Sequence, residues 1–284
     1  MTVISSPPRG LDLADGMSIS VVIYHPDVAQ LEQTLASLRE ACGRLLARVP
    51  RCPIELFLID NGGLGDVSAT IGRFRAQGVT CHILTGHGNI GYGRGHNLAI
   101  DRARGALHLI LNPDVDLDAD AFVIAYTFLE AHSDVGLLAP RIGDEAGQLQ
   151  YLCRRFPSIT DLFVRGFVPL RVRRMFEKRL ARYEMHDVVG EAEVVWDPPI
   201  ISGCFMLFRT SVLKALGGFD ARYFLYFEDY DLSLRAHDVA RVAYVPAVRV
   251  IHHGGGASRK GFAHIRMFAA SAFKFYNRFG WRLW

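Results

Sequence analysis

Between Ser18 and Leu111, short β-branched runs alternate with segments of helical spacing. This alternation excludes more folds than any other feature of the chain. Ser18 to Tyr24 (SISVVIY), bounded by Gly16 and Pro26, reads as a buried parallel strand. Val28 to Val49 follows as a helix, with Leu31, Leu35, Leu38, Cys42, Leu45 and Leu46 at helical spacing. The strand pattern returns at Ile54–Ile59, Val79–Leu84 and Leu107–Leu111, with helices predicted over 64–77 and up to Arg104. Strands joined by short helical crossovers predict an α/β chain, a doubly wound and mostly parallel sheet flanked by helices. Such sheets bind ligands beyond the carboxyl ends of their strands. The polar residues there are Tyr24 and His25, Asp60 and Asn61, and Asn112, Asp114 and Asp116.

The second half is more mixed. A helix is predicted over Ala119–Ala131 and strands over Val135–Pro140, Val194–Trp196, Ile200–Phe208, Val242–Val245 and Val248–Ile251. Tyr151 to Arg182 carries nine Lys/Arg against two acids, interleaved with Phe156, Leu162, Phe163 and Phe176. A last helix, Gly261 to Arg278, has Ile265, Phe268, Ala269, Ala272, Phe273 and Tyr276 on one side, with Arg259, Lys260, Arg266, Lys274 and Arg278 as its charge. Basic amphipathic helices can lie among lipid headgroups, and they can equally pack on a core with their charges in water.

Composition narrows the function classes. At 284 residues, 50% hydrophobic and 21% charged, the chain can bury a substantial core. A net charge of +3 lacks the basic bias of nucleic-acid binders, so no nucleic-acid partner is expected. Five scattered cysteines without a C-x-x-C pair suit a reducing cytoplasm and no structural zinc. Residues 1–16 read as a loose tail with no apolar core of a signal peptide. No stretch approaches the ~18 apolar residues of a membrane span.

Four constellations carry chemistry. Asn112-Pro113-Asp114-Val115-Asp116 is either an Asx turn or a carboxylate site for a divalent cation that in turn holds a diphosphate. Gly86 to Asn97 (GHGNIGYGRGHN) has five glycines, the composition of a surface connection or of a loop whose N–H groups approach a phosphate. It is neither a P-loop nor a dinucleotide fingerprint. His252 and His253 precede three glycines, as loop residues or as metal or phosphate contacts. Glu228, Asp229 and Asp231 follow Tyr223, Phe224, Tyr226 and Phe227. The acids suit a helix's first turn, and one beside an aromatic wall suits a general base. Asp231 stands four residues before Arg235, a helical ion-pair spacing.

These blocks resemble family 2 glycosyltransferases of the GT-A fold, most closely their rhamnosyltransferase-like branch. The resemblance runs from Ser18 to about Gly280 through SVVIYHPD, LFLIDNGG, GNIGYGRGHN, LNPDV, SGCFMLFR, GGFDARYFLYFEDYDLSLR and VIHHGGGAS, with His25 where the family usually has Asn. It implies a Rossmann-like central sheet, a nucleotide-sugar half (17–140), a smaller mixed acceptor half (141–258) and a C-terminal amphipathic helix (259–284). It further implies donor binding by Tyr24, His25, Asp60, Asn61, Asn89, Gly91, Arg94, Asn97 and Asn112. Asp114 and one of His252 and His253 would hold Mg²⁺ or Mn²⁺, and Asp229 would be the base. Asp116, Glu228 and Asp231 are accessory. Asn112 replaces the first Asp of the D-x-D motif in many relatives, leaving fewer charges on the metal.

The implied reaction is inverting transfer of a sugar, L-rhamnose from dTDP-L-rhamnose or another sugar from a UDP donor, to a saccharide or lipid-linked saccharide in cell-envelope polysaccharide assembly. A cytoplasmic protein, peripheral on the inner face of the membrane, is expected. The rivals are a nucleotide-sugar hydrolase or glycosidase, which would not need the nucleotide blocks, and a non-catalytic nucleotide-sugar-binding module.

Overall fold

The computed structural model describes residues 16–254 and 261–284. Residues 1–15 of the expected tail lie outside the described residues, as do Gly255, Gly256, Arg259 and Lys260. Strands β1 (Met17–Tyr24), β2 (Ile54–Gly62), β3 (Thr80–Leu84) and β4 (Leu107–Leu111) pair in parallel in the order β3-β2-β1-β4. Alternation along β1 sends Ile19, Val21 and Ile23 into one core. There they join Leu31, Leu35, Leu38 and Leu45 of α1 (Val28–Arg48) and Phe74 of α2 (Ser68–Ala76). α1 starts where the Asp27 carboxylate accepts the Gln30 N–H at 3.1 Å, a cap worth about 1 kcal/mol. On the other face Val22, Phe57 and Ile59 pack against Ala99 of α3 (Tyr92–Ile100). All four strands therefore end at one edge of the sheet, which is where the sequence put the polar residues.

The second half extends the same sheet. β8 (Phe205–Arg209) lies antiparallel between β4 and β6 (Val135–Gly143), and β9 (Arg241–His252) lies parallel to β6. The full order is β3-β2-β1-β4-β8-β6-β9-β5, where β5 is Val115–Leu117 and β7 (Val195–Trp196) pairs β9. Two differences from the sequence reading matter for the site. The two strands expected either side of Pro246 are one, β9. Its register jumps from Pro140↔Val245 to Arg141↔Arg249, a bulge that absorbs a proline with no N–H to donate. And Val115–Leu117 forms an edge strand, β5, antiparallel to β9 and too short to show as alternation. Its register, Val115↔His252, draws the LNPDV and VIHH blocks together across 137 residues of sequence. The strand expected from Ile200 begins only at Phe205; Ile200 itself makes an isolated bridge with Arg154.

The remaining helices are α4 (Ala121–Ala131), α5 (Ile159–Phe167), α6 (Leu170–Arg173), α7 (Glu177–Tyr183), α8 (Thr210–Ala215), α9 (Glu228–Ala236) and α10 (Phe262–Phe279). α10 packs on the core with one side. Its Phe275 and Tyr276 are buried with Tyr223 and Phe227, and Arg278 reaches Asp220 and Asp231 at 2.9 Å each. Its other side leaves Ile265 and Phe273 exposed, with Trp281 beyond it. The aromatic run before the three acids is thus not a single wall beside them. Tyr223 and Phe227 belong to the core with α10, because that helix, distant in sequence, folds back over them, while Phe224 stays exposed.

Candidate active site

At the sheet edge, Asp60 lies near the end of β2 with Oδ1 accepting the N–H groups of Gly62 (2.9 Å) and Leu64 (3.2 Å), and Oδ2 facing Thr85. Beside it, His25 holds a positive φ of 44° and donates its N–H to Gly62 at 2.8 Å; Tyr24 is exposed with its ring edge on His25. Asn61 is buried. Its amide donates to Gly91 O (3.0 Å) and its oxygen pairs with His87 Nε2 (3.1 Å). Asn89 accepts the Gly91 N–H at 3.1 Å. Asn61 and Asn89 thus shape the glycine segment rather than stand free.

The glycines divide by role. A Cβ on Gly91 would stand 2.4 Å from Phe224 O, and one on Gly95 would stand 2.8 Å from Val22 Cγ2, so these two let α3 lie close to its neighbours. Gly86 and Gly88 face open space. Asn97 spends both polar atoms on Phe219, donating to its O (2.8 Å) and accepting its N–H (2.9 Å); Arg94 donates to Ala221 O at 2.6 Å. Both tie the glycine segment to the turn that leads into α9.

The short segment Ser202–Gly203–Cys204 is the hub. Cys204 O accepts the Asn112 N–H at 2.9 Å, Gly203 O accepts the Tyr92 hydroxyl at 2.6 Å, and the Gly203 N–H donates to Asp229 Oδ2 at 2.9 Å. A Cβ on Gly203 would stand 3.1 Å from that of Asp229. Three ordered blocks of sequence meet here through backbone atoms. Tyr92 and Gly203 escaped the sequence reading, since a backbone hub leaves no side-chain signature beyond a lone glycine.

Asp229 lies in the first turn of α9, with Oδ1 accepting the Tyr230 N–H at 3.0 Å. Burial raises its carboxyl above the ordinary value, against the pull of the Gly203 and Tyr230 N–H groups. Glu228 is buried with Oε2 unpartnered, and burial together with the neighbouring Asp229 charge pushes it up to about 8. Two consecutive non-glycine residues, Tyr226 (φ 70°) and Phe227 (φ 65°), hold left-handed backbone immediately before this pair. Such conformations cost about 1–3 kcal/mol each and persist where packing over-determines them, here through the core with α10. Asp231 is fully buried, bonded to Arg235 Nε at 2.5 Å as its spacing predicted and to Arg278 at 2.9 Å. It anchors helices.

The two histidines separate. His252 Nε2 lies 3.5 Å from Asp114 Oδ1, too long for a strong hydrogen bond. Asp114 Oδ1 and His252 Nδ1 are both buried and without hydrogen-bond partners. Burial presses the Asp114 carboxyl upward, but His252 and the Asn112 side chain outweigh it and hold the group below its ordinary value. His253 instead sits between Asp116 (2.8 Å) and Glu145 (3.0 Å). Burial lowers it, and those two carboxylates more than reverse this, raising it overall. Asp116 also accepts from Gln33 and Thr34 of α1, so it belongs to the framework behind Asp114. Glu145 was invisible in sequence because nothing local links it to His253.

One carboxylate and one imidazole with unpartnered atoms fit a divalent cation whose remaining ligands come from a diphosphate and water. Among the described residues no group of three or more His, Cys, Asp or Glu is arranged to hold an ion by itself.

No family model matches the chain. An N-acetylglucosaminyl-diphospho-decaprenol L-rhamnosyltransferase of Mycobacterium tuberculosis is 28% identical over 259 residues, covering 85% of this chain and 77% of that protein. Rhamnosyltransferase WbbL of Escherichia coli K12 is 27% identical over 201 residues, covering 67% and 72%. Among solved structures, S. aureus TarS 1-349 in complex with UDP-GlcNAc matches with TM-score 0.57 at 15% identity, covering 92% of this chain and 67% of that one. GalNAc-T7 with UDP, GalNAc and Mn²⁺ matches with TM-score 0.58 at 16% identity, covering 86% and 44%. The chain spans 40% of the longer TarS structure. The fold is therefore the GT-A fold of nucleotide-sugar transferases. In sequence the chain is similar to these rhamnosyltransferases over two thirds or more of its length.

Proposed function

We propose that the chain transfers L-rhamnose from dTDP-L-rhamnose to a saccharide carried on a lipid diphosphate during cell-envelope polysaccharide assembly. The observation that carries this reading is the hub at Gly203, which fixes the Asp229 carboxylate beside the strand end that bears Asn112 and Asp114. The relatives named for rhamnosyl transfer support the donor, and the lipid-linked substrate in one of their names supports the acceptor. Asp60, Tyr24 and His25 would receive the nucleoside at the ends of β1 and β2.

Asp229 accepts the proton of the attacking acceptor hydroxyl, a contribution of ~10²–10⁴-fold. Its raised value leaves it a stronger base than a solvent-exposed carboxylate. Attack from the side opposite the leaving group inverts the anomeric centre. Asp114 and His252 would hold Mg²⁺ or Mn²⁺, which when bound supplies charge stabilisation to the departing diphosphate. The Asp116–His253–Glu145 group keeps this strand end in register. Among the described residues no helix is long and apolar enough to cross a membrane. The exposed Phe273, Trp281 and Trp284, with Arg266 and Arg282 close in sequence, support contact with the membrane face that presents a lipid-linked acceptor.

The test is acceptor-dependent release of dTDP from dTDP-L-rhamnose, run beside UDP-sugars at equal concentration. Rhamnosyl product with the dTDP donor is expected. Donor turnover indifferent to acceptor would point to the hydrolase reading, and preference for a UDP-sugar would correct the donor.

A further inference from the structure

α5 and α10 enclose an apolar groove of about 310 Å³. Its walls include Leu162 and Phe163 of α5, Ile265, Ala269 and Phe273 of α10, and Trp281. The core does not account for it, since Phe163, Ile265, Phe273 and Trp281 remain 43–58% exposed. Phe268 also lines the groove, and its ring packs on Tyr226 (5.6 Å) and Phe227 (5.1 Å), the strained pair immediately before Glu228 and Asp229. One end of the groove therefore lies a single side chain from the turn that sets the proposed base.

Charge marks that same end. Arg165 follows Leu162 by one turn of α5 and approaches Glu184 at 3.3 Å, while buried Arg154 approaches the same carboxylate at 3.7 Å. Two guanidiniums thus share one acid, which His186 also approaches at 3.3 Å, and this leaves cationic charge uncompensated there. Tyr183 and Tyr230 join hydroxyls at 2.7 Å beside them, and Tyr230 is the residue after Asp229. Arg154 acts electrostatically on Asp229, and Tyr230 on Arg165. Along the chain of contacts from Asp229 come the buried Arg154, the partly exposed Arg165 and then the apolar groove.

That order matches a sugar, a diphosphate and a hydrocarbon chain. Building on the lipid-linked acceptor reading, we propose that the groove between α5 and α10 seats the first isoprenoid units of the acceptor's lipid, with Arg154 and Arg165 taking its diphosphate. The groove then selects acceptors by their chain and holds the sugar hydroxyl at Asp229. Its apolar lining gives the chain a place off the bilayer, and its cations complement the anionic link.

The experiment compares two acceptors with the same N-acetylglucosaminyl diphosphate head, one on a decaprenyl chain and one on an ethyl group, both in detergent micelles with the full-length protein. Ala269→Trp fills the groove from an exposed helix position, and Phe273→Ser opens its rim; melting temperatures check folding. The wild type is expected to prefer the decaprenyl acceptor. Each variant is expected to lower the decaprenyl-to-ethyl ratio of kcat/KM by about tenfold or more, the effect of losing roughly two buried methylenes. A wild-type preference that both folded variants keep unchanged overturns the groove while leaving the lipid-linked acceptor reading intact. A wild type indifferent to the chain overturns that reading itself. Variants that lose only binding to anionic vesicles, with the micellar ratio unchanged, assign the face to the bilayer surface and overturn the proposal.

Discussion

Replacing Asp229 by Asn separates chemistry from architecture, because the structure gives a magnitude for each. In the wild type, Oδ2 accepts from Gly203 N–H at 2.9 Å and Oδ1 from Tyr230 N–H at 3.0 Å. An asparagine has one acceptor oxygen, so one of these amides meets an NH₂ group and is left unpaired. An unsatisfied buried donor costs about 1–3 kcal/mol. A domain with about 5–15 kcal/mol of stability remains folded after that loss. Removal of a general base costs ~10²–10⁴-fold in rate, equivalent to about 2.7–5.4 kcal/mol in the barrier. Asp229→Asn is therefore expected to melt several degrees lower, to bind dTDP almost as the wild type does, and to lose at least a hundredfold in rhamnosyl transfer at 25 °C. Steady-state kinetics, thermal melting and dTDP titration calorimetry on one preparation measure all three. Transfer within tenfold of wild type would refute the assignment of the base. Loss of dTDP binding in step with activity would show instead that Asp229 holds the donor half together through the Gly203 hub.

Three further outcomes follow from the same geometry. Gly203→Ala places a methyl 3.1 Å from the Asp229 Cβ, and the displaced carboxylate should cost roughly 10–100-fold in kcat with a smaller change in donor KM; unchanged kcat would remove the hub from the mechanism. Glu228 binds its proton more tightly folded than unfolded, since its value rises from 4.5 to about 8. The stability this contributes is fully present below 4.5 and disappears as pH climbs through 8, so Glu228→Gln should narrow the melting-temperature gap between about pH 5 and about pH 9. An equal gap in wild type and variant contradicts a buried, protonated Glu228. His252→Ala should raise the Mn²⁺ concentration for half-maximal transfer by about tenfold or more, whereas His253→Ala should leave it nearly unchanged and lower stability by about 1 kcal/mol through the lost hydrogen bond to Asp116. The reverse pattern in metal titrations and melts would swap the two roles.

Local sequence sufficed for what is periodic or contiguous. The alternation of β1 to β4 specified parallel strands with shared carboxyl ends, because side-chain parity and crossover handedness leave little freedom once both faces are buried. The same holds for the Asp231–Arg235 pair, set by one helical turn. The order of blocks identified the class of enzyme.

What depends on segments far apart in sequence came only from the folded chain. Two adjacent histidines look alike in sequence, yet the β5–β9 register turns one to Asp114 and the other to Asp116 and Glu145. The aromatics before the three acids look like one wall, yet α10 takes two of them into the core and leaves Phe224 outside. Three neighbouring acids receive three environments: a carboxylate held by two N–H groups, one buried without a partner at Oε2, and one between two guanidiniums. Burial and partner geometry, which set whether a carboxyl keeps its proton, are properties of the tertiary surroundings, so residue type and spacing nominated the acids and packing divided their roles.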